Sequence, residues 1–169
     1  MNEMRKPLLE KVVVNIGAGE AGERLVKAQR VLEMLTGQKA HITHSKRTNR
    51  DFGIRMGQPI GCKVTLRGEI AREFLRKALW VKENRVSLYS FSRDGNFSFG
   101  IPDYTDFEGM KYDPDIGVFG MDVSVTLKRK GYRVSRRQFQ PRSVPSRHKM
   151  TLTESVAFLK EQFSLEVVE

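Results

Sequence analysis

The sequence predicts an α+β fold: a split βαβ-type antiparallel sheet with helices on one side, then a basic C-terminal extension and a terminal helix. Three observations carry this. Apolar and polar residues alternate at 62–67 and 120–128, and apolar residues recur at every second position from Val12 to Ile16, the signature of strands with one buried face. Two stretches, 23–36 and 69–83, repeat their apolar residues at the helical period instead. The resulting order, β-α-β-β-α followed by further strands, is that of a split βαβ unit.

The elements follow in order. In EKVVVNI, residues 10–16, Val12, Val14 and Ile16 face inward, while Lys11, Val13 and Asn15 face the other way. GAGEAG at 17–22 then matches the GxGxxG of dinucleotide-binding folds. That fold needs an acid at the end of the next strand to hold a ribose. Here that strand ends in His44, Ser45, Lys46 and Arg47, and no second βαβ unit follows. An NADP-dependent enzyme built on this loop is the competing hypothesis, and titration with NADPH tests it. The simpler expectation is a tight turn that lets the helix pack closely on the sheet. That helix, 23–36, buries Leu25, Ala28, Leu32 and Leu35, and Gly37 stops it as a left-handed cap.

Strands at about 40–44 and 62–67 come next, joined by SKRTNRDFGIRMGQP, which reads as a basic finger. Cys62, Val64 and Leu66 point inward; Lys63, Thr65 and Arg67 point outward. Helix 69–83 turns Ile70, Phe74, Leu75 and Leu79 or Trp80 inward. Residues 87–101 supply one or two strands, and 120–128 another. An acidic loop, 103–115, lies between them. Residues 1–128 form one domain and 129–169 an extension. Within the extension, 131–149 is basic, proline-punctuated and expected to be mobile when free. The chain ends in a helix at 151–163, opened by a capping box of Thr151 and Glu154.

Charge is distributed unevenly. The net charge is +10. Residues 37–68 hold seven Lys or Arg against one acid, and 123–153 hold nine against none. The rest of the chain nets −5, so the positive charge is local, as a surface for an anionic partner requires. A single cysteine excludes an internal disulfide and a multi-cysteine zinc site. No apolar run suits a membrane span and no signal peptide is evident, so a soluble, cytosolic protein is expected.

Catalytic groupings are weak. His41 and His44, three apart on a strand, are expected on opposite faces, which argues against a metal pair. Asp103, Asp106, Glu108, Asp113 and Asp115 lie on a loop without an accompanying His or Cys, and read as a solvated loop or a docking patch for a basic protein. No catalytic residue, metal ligand or cofactor is assigned, and an enzyme is not expected. The outward set Lys11, Asn15, Gln38, Thr43, Lys63, Thr65 and Arg67 combines charge with short hydrogen-bonding groups, which suits RNA phosphates, 2′-hydroxyls and base edges. It contains no aromatic, so it suits the shape and backbone of folded RNA rather than splayed bases.

KVVVNIGAGEA, TGQKAHIT, GQPIGCKVTLRG and GMDVSVT, in this order and spacing, resemble the family of ribosomal protein five of the large subunit, over about residues 5–128. The basic tail and last helix are similar to its archaeal and eukaryotic branch. The resemblance implies a 5S-rRNA-binding protein of the central protuberance, with Asn15, Gln38 and Thr65 on the 5S rRNA. It implies that the finger, with Lys46, Arg47, Arg50 and Arg55, approaches P-site tRNA. Another edge is expected to bridge to a small-subunit head protein. Arg133, Arg136, Arg137, Arg142 and Arg147 are expected on large-subunit rRNA. No membrane is expected as a partner, and the free protein is expected to be a monomer.

Overall fold

A computed structural model describes residues 2–168. Five strands form an antiparallel sheet in the order β2-β3-β1-β6-β5: β1 is Pro7–Gly17, β2 His41–His44, β3 Pro59–Leu66, β5 Phe97–Ile101 and β6 Met121–Arg129. The helices are α1, Glu23–Thr36, α2, Gly68–Val81, and α3, Leu152–Phe163. β4, Arg85–Ser87, pairs in parallel with β7, Glu166–Val168, as a separate two-stranded sheet. The sequence pattern does not reveal β7, because three residues are too few to show a period. No helix among the described residues is long and apolar enough to cross a membrane.

The chain forms two compact units. One comprises Met1–Val12, Arg67–Phe99 and Ser124–Glu169; the other comprises Val13–Leu66 and Gly100–Val123. These do not coincide with a boundary at 128/129. Residues 129–169 share a unit with Met1–Val12, which holds β1's first half and to which the Lys130–Glu3 and Arg136–Glu10 ion pairs join them, and with β4, which pairs with β7.

In the second unit, α1 packs on β3. Leu25, Ala28, Val31 and Leu32 are buried, as are Cys62, Val64 and Leu66. Each large aliphatic side chain so buried contributes about 1.5–3 kcal/mol. Gly37, at φ 64°, ends α1 by donating its N–H to the Glu33 carbonyl. The Glu33 carboxylate accepts from the Gln29 side chain at 3.0 Å and from the Ala40 N–H at 3.2 Å, fixing the entry to β2. These bonds hold its carboxyl below the usual range. The GAGEAG turn needs positive φ at Gly19 (76°) and Gly22 (123°). A Cβ on Gly17, Gly19 or Gly22 would meet nothing within 4 Å, so close helix–sheet packing is not the reason for these glycines. The 103–115 loop is anchored rather than simply solvated. Tyr104 and Phe107 are buried, and the Tyr104 hydroxyl accepts the Asp113 N–H at 3.2 Å.

In the first unit, α2 buries Ala71, Phe74, Leu75, Ala78 and Leu79. Ile70 is 46% exposed, contrary to the inward reading; of Leu79 and Trp80 it is Leu79 that faces inward, Trp80 being 61% exposed. Ile70 and Trp80 each sit one residue, or 100° of helix turn, off the stripe that begins at Ala71. The capping box of α3 is present, with the Thr151 N–H donating to the Glu154 carboxylate at 3.3 Å.

The basic tail is seated, not extended. It forms two short 3-10 turns, Tyr132–Ser135 and Ser146–His148. Arg136 donates to Glu10 at 2.7 Å, and Lys128 lies 3.1 Å from the same carboxylate. Lys130 pairs with Glu3, and Arg129 with Glu154. The His148 ring Nε2 lies 2.7 Å from the Lys130 carbonyl. The expectation of a mobile tail weighed only charges inside the segment, whereas Arg136 finds an acid outside it, Glu10 on β1. The cations just before the tail, Arg129 and Lys130, pair with α3 and the N-terminus.

Candidate nucleic-acid interface

The outward side of β3 starts from alternation: Lys63 and Thr65 are exposed between buried Cys62, Val64 and Leu66. β2 pairs antiparallel with β3 and sets His41 opposite Lys63 and Thr43 opposite Gly61. Directly opposed residues share a face. Gly61 is needed here, since a Cβ would lie 2.8 Å from the Ile16 carbonyl oxygen and 3.1 Å from the Thr43 hydroxyl. Backbone on that side leaves no room for it to move away. The glycine therefore lets the Thr43 hydroxyl lie down over β3.

On the other flank, the Ala18 N–H donates to the Ile60 carbonyl at 3.0 Å. That register, continued along the antiparallel pair, sets Asn15 opposite Lys63. A row of Asn15, Lys63 and His41 thus crosses three strands. Gln38, half-buried, sits in the α1–β2 connection. Asn15, Gln38, Thr43, Lys63 and Thr65 all belong to the second unit. Lys11, half-buried on β1, and exposed Arg67, just past β3, belong to the other.

What unites these seven is that the fold does not use their polar side chains. Among the described residues, no side-chain hydrogen bond or ion pair engages any of them. By contrast, Lys27, Arg72, Lys128, Arg129, Lys130 and Arg136 are all paired with carboxylates. His41 joins the face, which the sequence could have shown, since it stands two residues before Thr43 on the same strand.

A bulge between Thr43 and His44 puts an extra residue, Ile60, on β3, so His44 pairs with Pro59. β2 itself gains no residue, so the parity argument against a His41–His44 metal pair is not disturbed. Separation adds to it: their partners Lys63 and Pro59 lie four residues apart, ~13 Å along β3. Among the described residues, no group of three or more His, Cys, Asp or Glu is placed to hold a metal ion.

The finger is a hairpin extension, not a loose loop. Ser45 and Gly57–Gln58 close its base through two backbone bonds of 2.9 Å. Asn49 and Ile54 exchange backbone bonds of 2.8 and 2.9 Å near the tip. The Thr48 hydroxyl accepts the Met56 N–H, and the Gln58 side chain accepts the Arg55 N–H. Lys46, Arg47, Arg50 and Arg55 are exposed and their side chains are unpaired among the described residues. The finger also exposes Phe52 (75%), at its tip, and Met56 (73%), apolar groups a charge count passes over.

Tail cations divide into two sets. Arg136 is committed to Glu10. Arg137 donates to the Gln140 carbonyl at 2.9 Å. Arg133, Arg142 and Arg147 are exposed with no side-chain partner among the described residues.

An α+β protein with a basic, polar sheet face, a basic hairpin and a basic strap is the class these features define. Family models give it a place. One described as "Ribosomal protein L5" matches residues 2–55, and a second, for the C-terminus of the same ribosomal family, matches 59–158. Curated relatives match along their whole length. The "Large ribosomal subunit protein uL5" of Thermoplasma volcanium is 54% identical over 99% of both chains. Those of Thermoplasma acidophilum and Methanococcoides burtonii are 53% and 48% identical, over 99% and 98% of both chains. The chain belongs to the ribosomal protein L5 family. It is accordingly a structural protein of the large ribosomal subunit rather than an enzyme.

Proposed function

We propose that the sheet face binds 5S rRNA and helps anchor it in the central protuberance. The observation that supports this most is the set of unengaged polar groups around Lys63. Lys63 neutralises phosphate, while Asn15, Gln38, Thr43 and Thr65 bond 2′-hydroxyls and base edges; Lys11 and Arg67, in the other unit, make phosphate contacts of their own. Apart from the His41 ring, none of these residues is aromatic, which favours a folded helix over splayed bases. The finger, through Lys46, Arg47, Arg50 and Arg55, contacts P-site tRNA. Arg133, Arg142 and Arg147 bind large-subunit rRNA, and another edge bridges to a protein of the small-subunit head.

Hydroxyl-radical footprinting on purified 5S rRNA tests the central part. Protection should cover a continuous helical backbone patch and be unchanged when the finger is deleted. No protection at saturating protein, or protection that vanishes with the finger, would overturn the assignment.

A further inference from the structure

The tail between β6 and α3 holds one aromatic in the open. Phe139 is 78% exposed. A single exposed phenylalanine is ordinary on a protein surface. Two features set this one apart.

The first is that its backbone is held. The Arg142 N–H donates to the Val134 carbonyl at 3.1 Å and closes the loop 134–142. Inside it, the Arg137 Nε–H donates to the Gln140 carbonyl at 2.9 Å. Gln140 itself takes φ 45°, the left-handed region that a side chain disfavours. Arg136, just before the turn, is fastened to buried Glu10 at 2.7 Å. The ring is therefore presented on a formed turn, and little ordering entropy remains to be lost on binding.

The second is its setting. Arg133, Arg137 and Arg142 lie within six residues of Phe139 along the chain, and the loop has no acid. This combination repels a basic protein surface. It fits a polyanion that also carries flat apolar faces, which is a nucleic acid. Paired bases have both faces stacked already, so the face on offer belongs to an unpaired base.

We propose that Phe139 is a stacking platform for one unpaired base of large-subunit rRNA, with Arg133 and Arg142 on the flanking phosphates. This rests on the reading that the tail binds that RNA, and adds a base contact to what charge alone supplies. It also separates the two surfaces by mode: the sheet face reads helical backbone, and the tail captures a bulged or looped nucleotide.

The test uses the full chain and purified, deproteinised large-subunit rRNA. Phe139→Ala should weaken binding about five- to tenfold, within the range of one base–aromatic stack. Its salt slope should match the parent's, because no charge is lost. Phe139→Trp should restore the affinity. In a Trp80→Phe background, which removes the single native tryptophan, the indole introduced at 139 should be quenched on binding. Equal melting temperatures would show that the exposed turn tolerates these changes. Parental affinity in Phe139→Ala, or unquenched emission at saturation, overturns the platform while leaving tail binding in place. Failure of the parent chain to bind this RNA overturns the tail reading, and the platform with it.

Discussion

At Glu10 the fold gathers charges from distant parts of the chain. Its carboxylate is 2% exposed and touches Lys128 and Arg136. Burial alone would raise its carboxyl, but the Arg136 and Lys128 hydrogen bonds and charges outweigh that and hold it below the usual range. The folded state then binds fewer protons than the unfolded one, so stability rises with pH between the folded and unfolded values. Glu10→Gln should cost about 1–2 kcal/mol at neutral pH, reduced from a fully buried pair because both cations are partly exposed. The gap to wild type should persist above the ordinary glutamate value of ~4.3 and close as pH falls through the depressed one. Denaturant midpoints across pH 2–7 read this out, and a gap independent of pH would refute it. Cys62 makes a second case. Burial, with a further contribution from the Glu33 charge, pushes its thiol up to about 11. Native protein at pH 8 should resist a thiol reagent such as DTNB until denaturant is added; rapid native labelling would contradict its placement. Cys62 was legible in the alternation of β3, whereas the Glu10 cluster was not. Its partners stand more than a hundred residues away, and no local period links them.

At the scale of elements, the strands with clean alternation and the helices with a clean stripe were readable, and short or irregular elements were not. α1 runs over the residues its stripe marks, 23–36. β3 begins at Pro59, earlier than expected, because Gly61 breaks the visible pattern while still pairing with Thr43. The Thr43/His44 bulge was equally hidden, since an extra residue in a register leaves no mark in composition. The finger was legible as basic and glycine-flanked, but not as a bonded hairpin. That geometry makes a clean deletion possible. Removing 47–56 keeps Ser45 beside Gly57 and Gln58, whose mutual bonds close the base. The shortened protein should fold and bind isolated 5S rRNA as wild type does. Ribosomes carrying it should release P-site tRNA faster. Loss of 5S rRNA binding with the fold intact would show that the finger, not the sheet, holds that RNA.

Over the whole molecule, local fields matter more than the net charge of +10. Positive charge collects in 37–68 and 123–153 while the remainder is negative, and the fold engages much of the second cluster with its own carboxylates. The surface around Lys63 keeps its donors and acceptors free, and on it rests the proposal that the sheet face holds 5S rRNA. The most direct measurement is the equilibrium affinity of Thr65→Val and Asn15→Ala proteins for purified 5S rRNA, alongside wild type and at fixed salt. Thr65→Val keeps the strand's shape and removes only a hydroxyl, so a contact buried against RNA should lose about 1–3 kcal/mol, as its partner is left unbonded. Asn15→Ala should lose a similar amount, with thermal stability close to wild type in both. Wild-type affinity in both variants would contradict the placement of 5S rRNA on this face.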